Sequence, residues 1–150
     1  MECAICGFTK KGDNSIFETE NWIVSLASDQ AYLGRSYVTL KRHCGDLAEL
    51  KSEEWNELFG LIGKLEKSVR KAFGADLFNW TCLMNLAYQN NPPNPHIHWH
   101  FRPRYGRPVK FARLTFTDPE FGIHYAREHE RSLKVSEDVQ QKIIQEIKKY

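Results

Sequence analysis

Several features are scarce in this chain of 150 residues, and each scarcity closes a possibility. No uninterrupted apolar run approaches the roughly 20 residues that a membrane-spanning helix needs. The formal charge is only +2, too small for attraction to polymeric nucleic acid or to a membrane surface to be a property of the whole molecule. No internal repeat and no long linker is visible, so one compact domain is expected. The chain opens with Met1-Glu2-Cys3, without the basic-then-apolar pattern of a signal peptide, which makes the cytoplasm the expected location. Thiols stay reduced there. The only four cysteines, Cys3, Cys6, Cys44 and Cys82, are therefore read as ligands or buried residues rather than disulfide partners.

What the chain does contain is enough apolar and aromatic material for a core, 41% and 13% of residues, arranged with clear periods. Ile16 to Glu18, Trp22 to Ser28 and Arg35 to Leu40 read as the strands of an antiparallel sheet, broken at Thr19 to Asn21 and by a turn at Gly34. Between Ser52 and Phe73, Trp55, Leu58, Phe59, Ile62, Leu65, Val69 and Phe73 recur at helical spacing, with Ser52 placed as cap and Gly74 as terminator. Leu77 to Leu86 reads as a buried strand, followed by a stiff loop, Asn90-Asn91-Pro92-Pro93-Asn94-Pro95. A strand pair around Val109 to Phe116, a turn at Asp118-Pro119 and a closing helix from about Glu137, capped by Ser136, complete an α+β chain. The four tryptophans are expected in the core.

The most specific stretch is His96-Ile97-His98-Trp99-His100-Phe101-Arg102-Pro103-Arg104. In a strand, side chains alternate between faces, so His96, His98 and His100 line one side while Ile97, Trp99 and Phe101 enter the core. Neighbouring histidines then sit roughly 6.5 Å apart along the strand, two rises of about 3.3 Å. An imidazole is unprotonated near neutral pH and becomes a good leaving group once phosphorylated, which suits nucleophilic attack on phosphorus. A backbone carbonyl bonded to Nδ1 of His98 would leave its Nε2 free to attack. Cys3-Ala4-Ile5-Cys6 is half of a tetrahedral zinc site; two buried thiols or a redox pair are the other readings. The basic residues Arg102, Arg104, Arg107, Lys110 and Arg113 follow the histidines, and arginine forks suit phosphate oxygens. His124 and His129 lack ligand spacing and are assigned no role.

With strands, helix and histidine strand in this order, the chain resembles the histidine-triad family of nucleotide hydrolases and transferases, whose signature is His-x-His-x-His, often followed by Pro-Arg. His96, His98, His100, Pro103 and Arg104 match it, as does Lys41-Arg42-His43, and the resemblance covers roughly Cys3 to Tyr105. It implies a histidine-triad fold over residues 1–106, with 107–150 an extension of the same domain. It implies that His98 attacks an α-phosphorus to form a nucleotidyl-histidine and that His100 stabilises the phosphate charge. Asn85, Asn94 and Arg104 would contact nucleotide or phosphate. Zinc would be held structurally by Cys3, Cys6, His43 and His96, with Cys44 competing for the place of His43. The implied substrate is a nucleoside phosphoramidate or a dinucleoside polyphosphate, and the implied assembly a homodimer through the main helix and an edge strand. A phosphorylase or nucleotidylyltransferase, or a non-catalytic zinc-stapled nucleotide-binding module, are the alternatives. Three departures bear on substrate. Ala27 stands where the family has a ribose-binding carboxylate or amide, with Ser28 or Asp29 beside it. Asn91-Pro92-Pro93 replaces Gly-Gln-Ser, leaving Asn94 or Gln89 for those contacts. Asn94-Pro95-His96 is similar to the hexose-1-phosphate uridylyltransferase branch, which has glutamine at the place of His100.

Overall fold

The computed structural model describes residues 3–9, 14–126 and 130–150; His129 lies outside them. Five strands form one sheet: β1 (Ser15–Glu18), β2 (Trp22–Leu26), β3 (Ser36–Leu40), β4 (Leu77–Cys82) and β5 (His98–Arg104). Their order is β1-β2-β3-β5-β4 and every pairing is antiparallel. The last strand to be made is thus inserted between β3 and β4, and the histidines lie inside the sheet rather than on its edge. Helix α1 (Ala4–Thr9) precedes the sheet, α2 (Ser52–Phe73) crosses one face, and α3 (Glu137–Lys148) closes the chain. A separate hairpin, β6 (Val109–Phe111) and β7 (Leu114–Phe116), follows β5. No helix among the described residues is long and apolar enough to cross a membrane.

The core forms where period-two strands meet a period-3.6 helix. Val24, Leu26, Val38, Leu40, Ile97 and Phe101 on the sheet pack with Leu58, Leu61, Leu65, Val69 and Phe73 of α2 in one cluster, which also takes in Phe116 and Ile143, Ile144 and Ile147 of α3. Trp22 joins them and satisfies its indole by donating to the Glu54 carbonyl at 2.8 Å. The end of α2 is set by Gly74 at φ 71°, a left-handed position where its N–H reaches the Arg70 carbonyl and glycine has no steric penalty. The start of α3 is capped as expected, the Ser136 hydroxyl accepting from the Val139 N–H.

Three sequence expectations are corrected. Lys51, not Ser52, is the cap residue of α2, and its N–H is satisfied by the carboxylate of Glu54 at 2.8 Å. Leu58, Leu65, Val69 and Phe73 are buried as expected and Leu61 joins them, but Trp55 and Phe59 are 42% and 81% exposed, since an apolar stripe wider than the contact does not reveal which of its edges faces the sheet. Strand β4 ends at Cys82, and Asn85 begins a 3₁₀ turn, Asn85–Gln89.

Arg42 holds the Glu54 carboxyl below the usual carboxylate range by hydrogen bonding to it, with Nε and Nη2 at 2.5 and 2.9 Å, and the Lys51 N–H adds to the effect. A folded pKa below the unfolded value of about 4.3 means that the carboxylate's stabilisation is complete above that value and vanishes as pH falls through the folded pKa. Glu54→Gln should therefore cost about 1–2 kcal/mol in urea unfolding at pH 7, and the gap to wild type should close on acidification. A gap that widened toward acid would contradict this account.

Candidate active site

Strand β5 carries His98 and His100, while His96, expected on the same strand, lies two residues before its start; the register of β5 supplies the neighbours of the two strand histidines. His98 lies opposite Thr39, and His100 lies between Tyr37 on β3 and Thr81 on β4. Ile97 and Phe101 are fully buried on the opposite face and anchor the strand. The rings of His98 and His100 lean together, with centroids 5.0 Å apart. Both are half-buried. Nδ1 of His98 lies 2.8 Å from the carbonyl oxygen of His96. A carbonyl can only accept, so Nδ1 carries the proton and Nε2 keeps its lone pair.

His96 is oriented oppositely, and by the same logic. It is 1% exposed, and Nε2 donates to the Leu40 carbonyl at 2.7 Å, which leaves Nδ1 as the electron pair donor. Burial pushes its pKa down and favours the neutral ring. Nδ1 of His96 lies 3.5 Å from Sγ of Cys3 and 3.3 Å from Sγ of Cys6, and Nδ1 of His43 lies 3.6 Å from Sγ of Cys6. The ligand atoms of Cys3, Cys6, His43 and His96 all fall within 4.8 Å of one another. A zinc ion with bonds of about 2.3 Å to sulfur and about 2.0 Å to nitrogen puts tetrahedral S···N edges at about 3.6 Å, so the donor set fits such an ion. Cys44 is turned away from it. It is 3% exposed, and its thiol points to the Asp46 carbonyl at 3.4 Å. The turn carrying His43 is held to the histidine strand by the Ile97 N–H on the Cys44 carbonyl at 2.8 Å. It passes so close to Pro95 that a Cβ on Gly45 would lie 2.7 Å from the proline ring.

The remaining expected contacts fare differently. Arg104 shares the histidine face of β5, but its guanidinium is enclosed: Asp118 takes Nε at 2.6 Å and Nη2 at 3.1 Å, and Asn79 and the carbonyls of Glu120 and Ile123 take the rest. Both partners of the ion pair have side chains only 1% exposed, so the guanidinium is engaged with the C-terminal segment. The family-like Pro103-Arg104 pair carried no sign of the carboxylate that follows it. Arg102 is also buried, its guanidinium over the Tyr125 ring at 4.2 Å. Asn85 is exposed on its 3₁₀ turn, and Asn94 is half-buried in the loop two residues before His96. Asp29, beside Ala27, is engaged by Arg35 at 2.8 Å and by the N–H groups of Ala31 and Leu133. Ser28 is exposed and Gln89 likewise. Sequence reasoning missed Tyr37, which the β3–β5 register brings edge-on to His100 at 5.2 Å and to His98 at 6.3 Å; alternation along β3 gives its face, but only the register gives its partner.

Among solved structures the chain is similar to a Hit-like protein involved in cell-cycle regulation from Bartonella henselae, at 18% identity and a TM-score of 0.65 over 91% of this chain and 85% of that one. It is also similar to a zinc-bound histidine triad family protein from Mycobacterium smegmatis, at 21% identity and a TM-score of 0.57 over 99% and 97%. The fold is that of histidine-triad proteins. A uridylyltransferase shares it, at 18% identity and a TM-score of 0.66 over 99% of this chain and 44% of that one. No protein-family model matches the chain, and no curated protein matches it in sequence.

The metal cluster generates a direct test. Protein prepared without chelator should contain one zinc per chain by elemental analysis, and Cys6→Ser should lower that content severalfold and lower the thermal midpoint. Substoichiometric zinc in the wild type, with the midpoint unmoved by a chelator, would remove the case for the site.

Proposed function

We propose that the protein is a nucleotide hydrolase or nucleotidyltransferase that works through a covalent intermediate on His98. The observation that carries this reading is the 2.8 Å contact between Nδ1 of His98 and the His96 carbonyl, which makes Nε2 the nucleophilic atom. Nε2 attacks the α-phosphorus of a nucleoside phosphoramidate or dinucleoside polyphosphate. An N–P bond forms while the bond from phosphorus to the leaving group breaks, and the leaving group takes up a proton. Water then adds to the phosphorus, displaces Nε2 and releases the nucleoside monophosphate. His100, 5.0 Å from His98 between ring centroids, donates to the phosphoryl oxygens as their charge grows. Asn94, two residues before the row, is the remaining candidate for a polar contact to the phosphate or leaving group, and Asn85 stands farther back on its exposed turn.

Zinc held by Cys3, Cys6, His43 and His96 would have all four positions filled by protein and so supplies rigidity, not a reacting centre. Such a clasp ties α1 and the His43 turn to the strand that bears His98. The free thiols suit a reducing compartment such as the cytoplasm. A homodimer through α2 and the β4 edge is part of the same reading, supported by the exposure of Trp55, Phe59 and Leu77 along those two elements. Transfer to phosphate or to a sugar phosphate instead of water is the closest alternative, favoured by the likeness to a uridylyltransferase.

Incubation with diadenosine polyphosphates, with and without inorganic phosphate, distinguishes the acceptors by product. His98→Ala should lower turnover by several orders of magnitude while leaving the thermal midpoint within a few degrees of wild type. Retained turnover would sink the covalent route, and a wild type that neither turns over nor yields a trapped His98 adduct would leave only a binding module.

A further inference from the structure

Beside the histidine row lies a second polar group that the covalent route does not use. Asp29 holds Arg35 through Nη1 at 2.8 Å, and Arg35, 2% exposed, places Nη2 at 3.4 Å from the hydroxyl of Tyr37. The guanidinium carbon also stands 5.8 Å from the Tyr37 ring. Tyr37 in turn lies edge-on to both His98 and His100. Three side chains from the β2–β3 turn and β3 thus lead from a half-buried carboxylate through a buried guanidinium to the two rings on β5.

The direction of the hydrogen bonds decides what this arrangement can do. A guanidinium has donors only, so the phenol oxygen of Tyr37 must accept from Arg35, and its own proton is turned elsewhere. Among the described residues none accepts that proton, while the ring carrying it flanks the side of the sheet that presents the two histidines. A group on which His98 and His100 converge would bring negative oxygen within reach of such a donor. Arg104, the cation expected for this task, is consumed by Asp118.

We infer that Tyr37 is a third phosphate-binding side chain of this face, its hydroxyl aimed by Arg35 at a phosphoryl oxygen of the bound nucleotide. The inference rests on the reading of His98 and His100 as the phosphate site. It deepens that reading by giving β3 a share in recognising the phosphate.

The test is calorimetric titration of the intact, metal-loaded protein with adenosine 5′-monophosphate and, separately, with adenosine. Tyr37→Phe keeps the ring and the strand preference and removes one hydroxyl. It should leave adenosine binding unchanged and, since Arg35 loses an acceptor, lower the thermal midpoint by no more than a few degrees, while weakening monophosphate binding about tenfold, as expected for losing one hydrogen bond to a charged group. Tyr88→Phe, an exposed phenol on the 3₁₀ turn, should change nothing. Monophosphate binding by Tyr37→Phe equal to wild type overturns the assignment, and so does an equal loss for both ligands, which would place the hydroxyl on the nucleoside. If wild type binds the monophosphate no better than adenosine, the phosphate site itself falls and Tyr37 with it. If wild type prefers the monophosphate and only Tyr37→Phe matches it, the histidine reading stands and Tyr37 alone is removed.

Discussion

The peptide group of His96 governs the histidine face. Its carbonyl accepts from Nδ1 of His98, while its own side chain turns Nδ1 toward two cysteine sulfurs and Nε2 toward the Leu40 carbonyl. Two carbonyl oxygens, each able only to accept, therefore fix opposite tautomers on His96 and His98. No charged partner is needed for this. The peptides on either side are pinned by ladder bonds and by the bond from Ile97 to Cys44, so the tautomers are a property of the sheet, and a residue two positions from His98 does the orienting.

Legibility in the sequence followed the range of the interaction. The alternation of His96, His98 and His100 with Ile97, Trp99 and Phe101 specified a strand and its two faces, because period two is local. The length of α2 and the cap of α3 were legible for the same reason. The side of α2 that turns inward was not, since Trp55 and Phe59 are as apolar as Leu58 and Leu61 and only tertiary packing distinguishes them. The Cys3-Cys6 pair pointed to a metal cluster, but the choice between His43 and Cys44 needed the turn itself: adjacent residues point to opposite sides, and the hold of Ile97 on Cys44 selects which one faces the sulfurs.

Arg104 shows the limit of carrying a pattern over by position alone. The residue is where the pattern expects it and on the expected face of β5, yet a carboxylate fourteen residues later claims it. A guanidinium with its hydrogen bonds already made to Asp118, Asn79 and two carbonyls gains little by exchanging them for a phosphate. Arg35, which no local pattern connects to the histidines, reaches them only through Tyr37, whose place beside His100 is set by the pairing of β3 with β5.

The ion pair of Arg104 with Asp118 also sets an order for assembly. All five strands of the sheet have been synthesised once β5 is complete, and local pairing can begin at that point. Until the segment around Asp118 follows, however, Arg104 has no counter-charge with which to leave water. The far end of the histidine strand therefore stays hydrated while its beginning, toward His96, can already dock. A chain growing from its N-terminus would thus dock the His96 end first and seal the arginine end last, and a shortened chain ending before Asp118 would leave Arg104 without its counter-charge.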